Sequence, residues 1–233
     1  MTKPKLVVFA SGTKDGGGSG FENLVRASKT GGLDAEIVAV VSNNDHGSVR
    51  ERAERLGIPF IHFDPSSYSN VLKNLGIGDS SLGNVYRAIV RDSGAEWVAL
   101  SGWLKKVEGL DPRRTFNIHP ALLSQLSGRF GGKGMYGKKL HEAVKAAFDA
   151  GEISESGFSM HFVTDELDRG PVFFEHRVPL KKAMTADEIE SAVRAAEHEW
   201  QPKITNMVMH GDIRWDGRDT KTLTVPSWLR LSA

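Results

Sequence analysis

KLVVFASGTKDGGGSGFENLVRASK, residues 5 to 29, decides the fold. Lys5 to Ala10 is a short apolar run stopped by Ser11-Gly12, the pattern of a buried strand followed by a glycine-rich turn. Phe21, Leu24, Val25 and Ser28 then recur at spacings of three and four, which predicts a helix packed by one face. Ser19-Gly20-Phe21-Glu22 has the S-x-x-E form of a capping box at its start. Working outward, Ala35 to Ser42 (AEIVAVVS) reads as a second strand, Ser48 to Leu56 as a charged amphipathic helix closed by Gly57, and Pro59 to Phe63 as a third strand. Leu82 to Asp92 reads as a helix before a strand at Trp97 to Leu100, and Thr115 to His119 (TFNIH) as a fifth strand stopped by Pro120. Strands separated by helices imply a parallel sheet. The expected fold class is therefore α/β, an open, mostly parallel twisted sheet of Rossmann-like type with flanking helices.

The character of the chain changes after His119. Residues 124 to 137 (SQLSGRFGGKGMYG) hold five glycines and no hydrophobic period, and are expected to form a mobile loop before a helix over Lys138 to Ala150. Gly157 to Thr164 and Pro171 to Leu180 read as a strand pair joined by a tight acidic loop, Asp165 to Gly170. Ala186 to about Trp200 reads as a helix that Pro202 should kink or restart. The tail from Gly211 resembles a small hairpin. With no internal repeat and no linker composition, one domain is expected over residues 1–233, with its core at about 5–210 and a hairpin-like tail at 211–233.

Composition removes several function classes. The 233 residues are 39% hydrophobic, 25% charged and 8% aromatic, a globular balance that fits neither disorder nor a coiled-coil rod. Thirty Lys and Arg against 29 Asp and Glu leave a net charge of +1, too little for the general phosphate attraction on which nucleic-acid binders depend. The absence of cysteine excludes disulfides, thiolate metal sites and cysteine nucleophiles, and suits a reducing, cytoplasmic compartment. Apolar stretches are far shorter than the roughly 18 residues of a membrane span, and the first residues make no convincing signal peptide. Nucleic-acid and membrane partners are not expected, nor is a metal.

Ligands of open parallel sheets bind beyond the carboxyl ends of the strands, where this reading places Ser11 to Gly20, Gly102 to Lys106 and Asn117 to Pro120. The glycine run at a helix N-terminus is a natural anion cradle, and it matches neither a dinucleotide fingerprint nor a Walker motif. Asn117 and His119, two apart on one strand, share a face at its carboxyl end. An amide and an imidazole together suit an oxyanion, and the imidazole can also carry a proton near pH 7. An Asn-x-His pair is uninformative alone, and Asp165 and Asp168 are acids of a type often merely solvated, but either could face the imidazole and hold it protonated. The residues by themselves define an anion-binding α/β enzyme with an Asn, His, Asp centre.

Two segments make the chain recognisable. Gly157 to Val172 (GFSMHFVTDELDRGPV) and Asn117 to Leu123 (NIHPALL) resemble the signature segments of the glycinamide ribonucleotide formyltransferases, which are folate-dependent. Weaker likeness covers the first strand and glycine loop, Ser42-Asn43, Ser101 to Leu104 and Ala196 to His198. The resemblance implies the formyltransferase fold, 10-formyltetrahydrofolate as co-substrate, glycinamide ribonucleotide as acceptor, and a monomer or homodimer. It assigns Asn117, His119 and Asp168 to the catalytic triad. Gly18, Ser19 and Gly20 correspond to the phosphate loop, Arg194 to a phosphate-binding cation and Glu197 to the ribose contact, while Trp103, Leu104, Lys105, Val107 and Asp165 fall in the folate-binding segments.

The 124–137 loop departs from the family pattern and is expected to gate the substrate. Related formyltransferases acting on amino sugar nucleotides share the same centre and are the nearest enzymatic alternative. Transfer to methionyl-tRNA fits poorly with the near-neutral charge. A non-catalytic folate or nucleotide sensor on the same scaffold is the alternative from another class, against which the complete triad counts.

Overall fold

In the computed structural model, residues 2–14, 16–74 and 80–230 are described. The chain divides into two compact units, Met1–Thr115 and Phe116–Ala233. The first contains β1 (Lys5–Phe9), α1 (Ser19–Thr30), β2 (Glu36–Ser42), α2 (Ser48–Leu56), β3 (Phe60–His62), α3 (Pro65–Asn74), α4 (Ser80–Ser93) and β4 (Trp97–Ser101). Its strands pair in parallel in the order β3-β2-β1-β4, with Phe9 opposite Val41 on one side and Leu100 on the other. Leu6 through Ala10 have no exposed surface, so the unbroken apolar run is explained by burial on both faces. The core closes through aromatic edges, with Phe9 5.2 Å from Trp103 and Phe63 5.2 Å from Tyr86.

Local signals held unevenly in this unit. Gly57 closes α2 in the left-handed region, its N–H reaching the carbonyls of Ala53 and Glu54, as the sequence predicts. The capping box at Ser19 is not formed. Ser19 is the first helical residue, left-handed Gly18 occupies the cap position, and the Glu22 carboxylate turns instead to arginines. Helix α3 was not anticipated. Its signal was Asp64-Pro65, for the Asp64 carboxylate accepts from the N–H groups of Ser66 and Ser67 and proline suits the first helical turn.

The second unit carries β5 (Thr115–His119, from Phe116), α5 (Gly137–Asp149), β6 (Glu155–Phe162), β7 (Val172–Pro179), α6 (Ala186–Met209) and α7 (Ser227–Arg230). Strand β5 pairs with β6 antiparallel, Asn117 opposite His161 and His119 opposite Ser159. Strands β6 and β7 are the expected pair, also antiparallel. Gly157 and Gly170 permit close backbone approach: an added Cβ would strike the carbonyl of His176 at the first and of Phe162 at the second.

Helix α6 opens with a true capping box, Thr185 and Glu188 bonding reciprocally, and continues for 24 residues, past Pro202 to Met209. The expected restart, and the end of the helix near Trp200, are thus corrected. The proline forfeits one backbone bond, but it lies buried with Gln201, Ile204, Thr205 and Val208, and tertiary packing outweighs the local preference. The hairpin-like tail reduces to one antiparallel bridge, Arg214 with Thr224, a 3-10 turn at Thr220–Thr222 and the short α7. No helix among the described residues is long and apolar enough to cross a membrane.

Candidate active site

The centre of the second unit is built on one register. Asn117 and His119 leave β5 on the same face, and Asn117 stands opposite His161 of β6. The loop after β6 then brings back Asp168, held at φ 54 in the left-handed region that Asp and Asn tolerate better than other side chains. Its Oδ2 lies 3.7 Å from His119 Nδ1 and accepts from the Gly132 N–H at 2.8 Å. Its Oδ1 lies 3.5 Å from His161 Nε2 and 3.3 Å from the Asn117 amide nitrogen. Asp168, not Asp165, is the acid at the imidazole; Asp165 is exposed.

Hydrogen-bond partners fix the ring protons. His119 Nε2 lies 2.7 Å from the Phe130 carbonyl oxygen, which only accepts, so that nitrogen carries hydrogen and Nδ1 is left facing the carboxylate. His161 Nδ1 donates to the Phe162 carbonyl at 2.8 Å, which leaves its Nε2 to accept from Asn117 at 3.1 Å in the neutral ring. The amide nitrogen of Asn117 thus serves two acceptors, and must release one to donate to a developing oxyanion.

Charge and burial compete at each group. Burial pushes Asp168 upward, but the two imidazoles beside it, His161 and His119, and the Gly132 N–H outweigh it and hold the carboxyl at about 2. For His119 the balance runs the other way. Burial lowers its pKa below the usual 6.5, and the upward pulls of Asp168 and the Phe130 carbonyl do not restore it. Asp168 acts in the expected direction, but the expectation of an imidazole held protonated is corrected: burial favours the neutral ring.

The 124–137 segment is a loop, though not a featureless one. Gln125–Gly128 forms a 3-10 turn, Phe130 is fully buried, and the loop's main chain supplies the contacts to His119 and Asp168 just described. Ser124 is tied to Glu175, and Arg169 donates to the Gly128 carbonyl at 3.2 Å. Behind it on α5 stands His141, buried, with no hydrogen-bond partner for Nδ1. On α6, Arg194 is half-exposed and pairs with Glu190 at 3.1 Å. Partly buried Glu197 is pushed up to about 8, by burial first, then by Glu190 against the opposing pull of Arg194.

In the first unit the glycine loop turns sharply, with Gly12, Gly17 and Gly18 all at positive φ and the Thr13 N–H on the Gly16 carbonyl at 2.6 Å. Gly18, Ser19 and Gly20 then enter α1, where the first N–H groups of a helix have no partner within it. Of the segment after β4, Trp103 and Val107 are buried and Leu104 is 48% exposed. The Lys105 ammonium meets Ser66 Oγ at 2.9 Å and Asp64 at 3.7 Å. His161 was missed as a site residue, although it lies in the quoted 157–172 segment; the signal was its alternation in phase with Asn117, usable once β5 and β6 are known to pair.

An amide, an imidazole and a carboxylate meet around one point, groups that can stabilise a developing oxyanion and move a proton. The chain belongs to the formyl transferase family, whose model matches residues 4–205. It is 32% identical over 217 residues to the chloroplastic phosphoribosylglycinamide formyltransferase of Arabidopsis thaliana, covering 91% of this chain and 68% of that protein. It is 28% identical to the phosphoribosylglycinamide formyltransferase of Bacillus subtilis, covering 88% of this chain and 94% of that one. Among solved structures, glycinamide ribonucleotide transformylase 1 from Symbiobacterium toebii superposes with a TM-score of 0.76 at 23% identity, over 96% of this chain and 94% of that chain. The fold is accordingly the Rossmann-like formyltransferase fold, a seven-stranded, mostly parallel sheet with flanking helices.

Proposed function

We propose that this formyltransferase moves the formyl group of 10-formyltetrahydrofolate to the primary amine of glycinamide ribonucleotide, a step of purine biosynthesis. The observation that carries the reading is the cluster of Asn117, His119, His161 and Asp168 in a chain of this family. The amine nitrogen attacks the formyl carbon, forming the new C–N bond and a tetrahedral carbon with an oxyanion. Asn117 donates to that oxygen, and His119 does so once protonated, when both ring nitrogens carry hydrogen. The ammonium gives up its proton, directly or through water, to Asp168. The proton passes to the folate nitrogen as the old C–N bond breaks.

The remaining roles belong to the same proposal. Gly18, Ser19 and Gly20 bind the acceptor's phosphate together with Arg194, Glu197 holds its ribose hydroxyls, and Trp103, Leu104, Lys105, Val107 and Asp165 form the folate site. The loop from 124 to 137 orders around the substrates, and residues 1–233 act as one catalytic domain, in the cytoplasm. No metal takes part in this mechanism.

Purified protein should deplete 10-formyltetrahydrofolate when given glycinamide ribonucleotide and leave it intact with amino sugar nucleotides. Turnover only with the latter transfers the assignment to the amino-sugar class. Binding of folate without turnover of any amine identifies a sensor. Arg194→Ala should raise KM for the ribonucleotide far more than for the folate, and equal effects would remove Arg194 from the phosphate site.

A further inference from the structure

The glycine loop of the first unit is tied down by its carbonyls. Asn44 donates from its amide to the Ser11 and Gly12 oxygens at 3.1 and 2.7 Å. The Ser48 N–H reaches the Thr13 oxygen at 3.2 Å, and Ser48 Oγ lies 2.5 Å from the Gly16 oxygen. Arg52 Nε donates to the Gly17 oxygen at 3.2 Å. These carbonyls are drawn toward the segment 44–52. An anion is repelled by carbonyl oxygens and attracted by N–H groups, so this arrangement keeps the repelling dipoles away from the start of α1.

Arg52 differs from the other two anchors in being held itself. Its guanidinium forks between the Gly17 carbonyl and the carboxylate of Glu22, which is only 7% exposed and also takes Arg26 at 2.6 Å and Arg55 at 2.9 Å. Three guanidiniums share one carboxylate, leaving uncancelled positive charge beside the loop. The packing is close: a Cβ on Gly18 would stand 2.9 Å from Val49 and 3.4 Å from Arg52.

We infer that Arg52 is a positioning residue for phosphate recognition: anchored on Glu22, it clamps the Gly17 carbonyl against α2 and so presents the following N–H groups to a phosphate dianion. The inference rests on the reading of Gly18 to Gly20 as the phosphate site. Arg52 acts through the loop and need not touch the ligand. A bare staple between α1 and α2 would affect thermal stability and leave phosphate affinity alone, which separates the two roles.

The test is kinetic and calorimetric, on the full chain, with inorganic phosphate as the probe. Arg52→Gln should raise the ribonucleotide KM and the phosphate Kd together by about tenfold, with kcat and the folate KM within about twofold. Arg52→Lys should not restore affinity, because an ammonium cannot reproduce the planar two-point fork, whereas Arg50→Gln on the exposed side of α2 should behave as wild type. Unchanged phosphate affinity in Arg52→Gln, equal weakening of both substrates, or a wild type that binds no phosphate overturns the inference. If wild type binds phosphate, loses it in Arg52→Gln, and yet formylates no ribonucleotide, the positioning role stands and the substrate assignment falls. Should Arg52→Gln not fold, Ser48→Ala, which deletes one hydroxyl anchor, should show the same split at about threefold.

Discussion

Replacing Asp168 by Asn should remove a pH-dependent part of the stability together with most of the activity. The carboxyl is held at about 2 against an ordinary 3.8, in a side chain only 15% exposed. At about 1.36 kcal/mol per pKa unit, that difference is worth about 2.5 kcal/mol at neutral pH. The sign follows from the depressed folded value. The contribution is full above the unfolded pKa, falls to about half by pH 3, and is lost as pH falls below 2, where both states become protonated. Asparagine is the substitution of choice because it tolerates the left-handed backbone at φ 54, so strain does not contaminate the difference. Urea unfolding of wild type and Asp168→Asn at pH 7, 5 and 3 measures it, and formyl transfer at pH 7 should drop about a hundredfold to a thousandfold in the folded variant. A stability gap that stays constant from pH 7 to pH 3 would refute the claim that the charge of Asp168 is what its neighbours hold.

His119 should titrate below 6.5 in the empty protein, and lower still in Asp168→Asn, because that charge opposes the effect of burial; a midpoint above 6.5 by imidazole NMR would refute this. Since the unfolded chain binds that proton more readily, this group's contribution to stability falls as pH drops through 6.5. Glu197, pushed up to about 8, should behave oppositely to an ordinary acid, its contribution falling as pH rises from 4.5 through 8. Glu197→Gln should therefore gain stability on wild type between pH 6 and pH 9, and parallel unfolding curves across that range would count against it. Gly170→Ala, whose methyl meets the Phe162 carbonyl, should cost about 1–3 kcal/mol by thermal unfolding and displace Asp168 enough to depress turnover; native stability would show that the backbone yields freely there.

What the sequence disclosed followed from how local each signal was. The buried runs Lys5 to Ala10 and Ala35 to Ser42 and the stop at Gly57 depend on neighbouring residues alone, and they were legible. The pairing of β5 with β6 was not, because TFNIH looks the same beside a parallel or an antiparallel partner. Pro202 misled for a related reason: its local cost is real, but the packing of α6 that outweighs it involves distant residues. In the site, Asn117, His119 and Asp168 were found by spacing and resemblance. His161 needed the register between two strands. The protonation of His119 needed its depth of burial, which no motif encodes.

The loop from 124 to 137 addresses the centre with main-chain atoms, the Phe130 carbonyl on His119 and the Gly132 N–H on Asp168. Every residue type offers the same carbonyl, and every one but proline the same N–H, so neither contact specifies a side chain at its position. What must be preserved is the path of the chain and the count of residues along it. Exchanges at Arg129, Lys133 or Met135 can retune what the loop presents outward without disturbing the imidazole. A single inserted or deleted residue just before Phe130 would shift both main-chain groups off their targets at once.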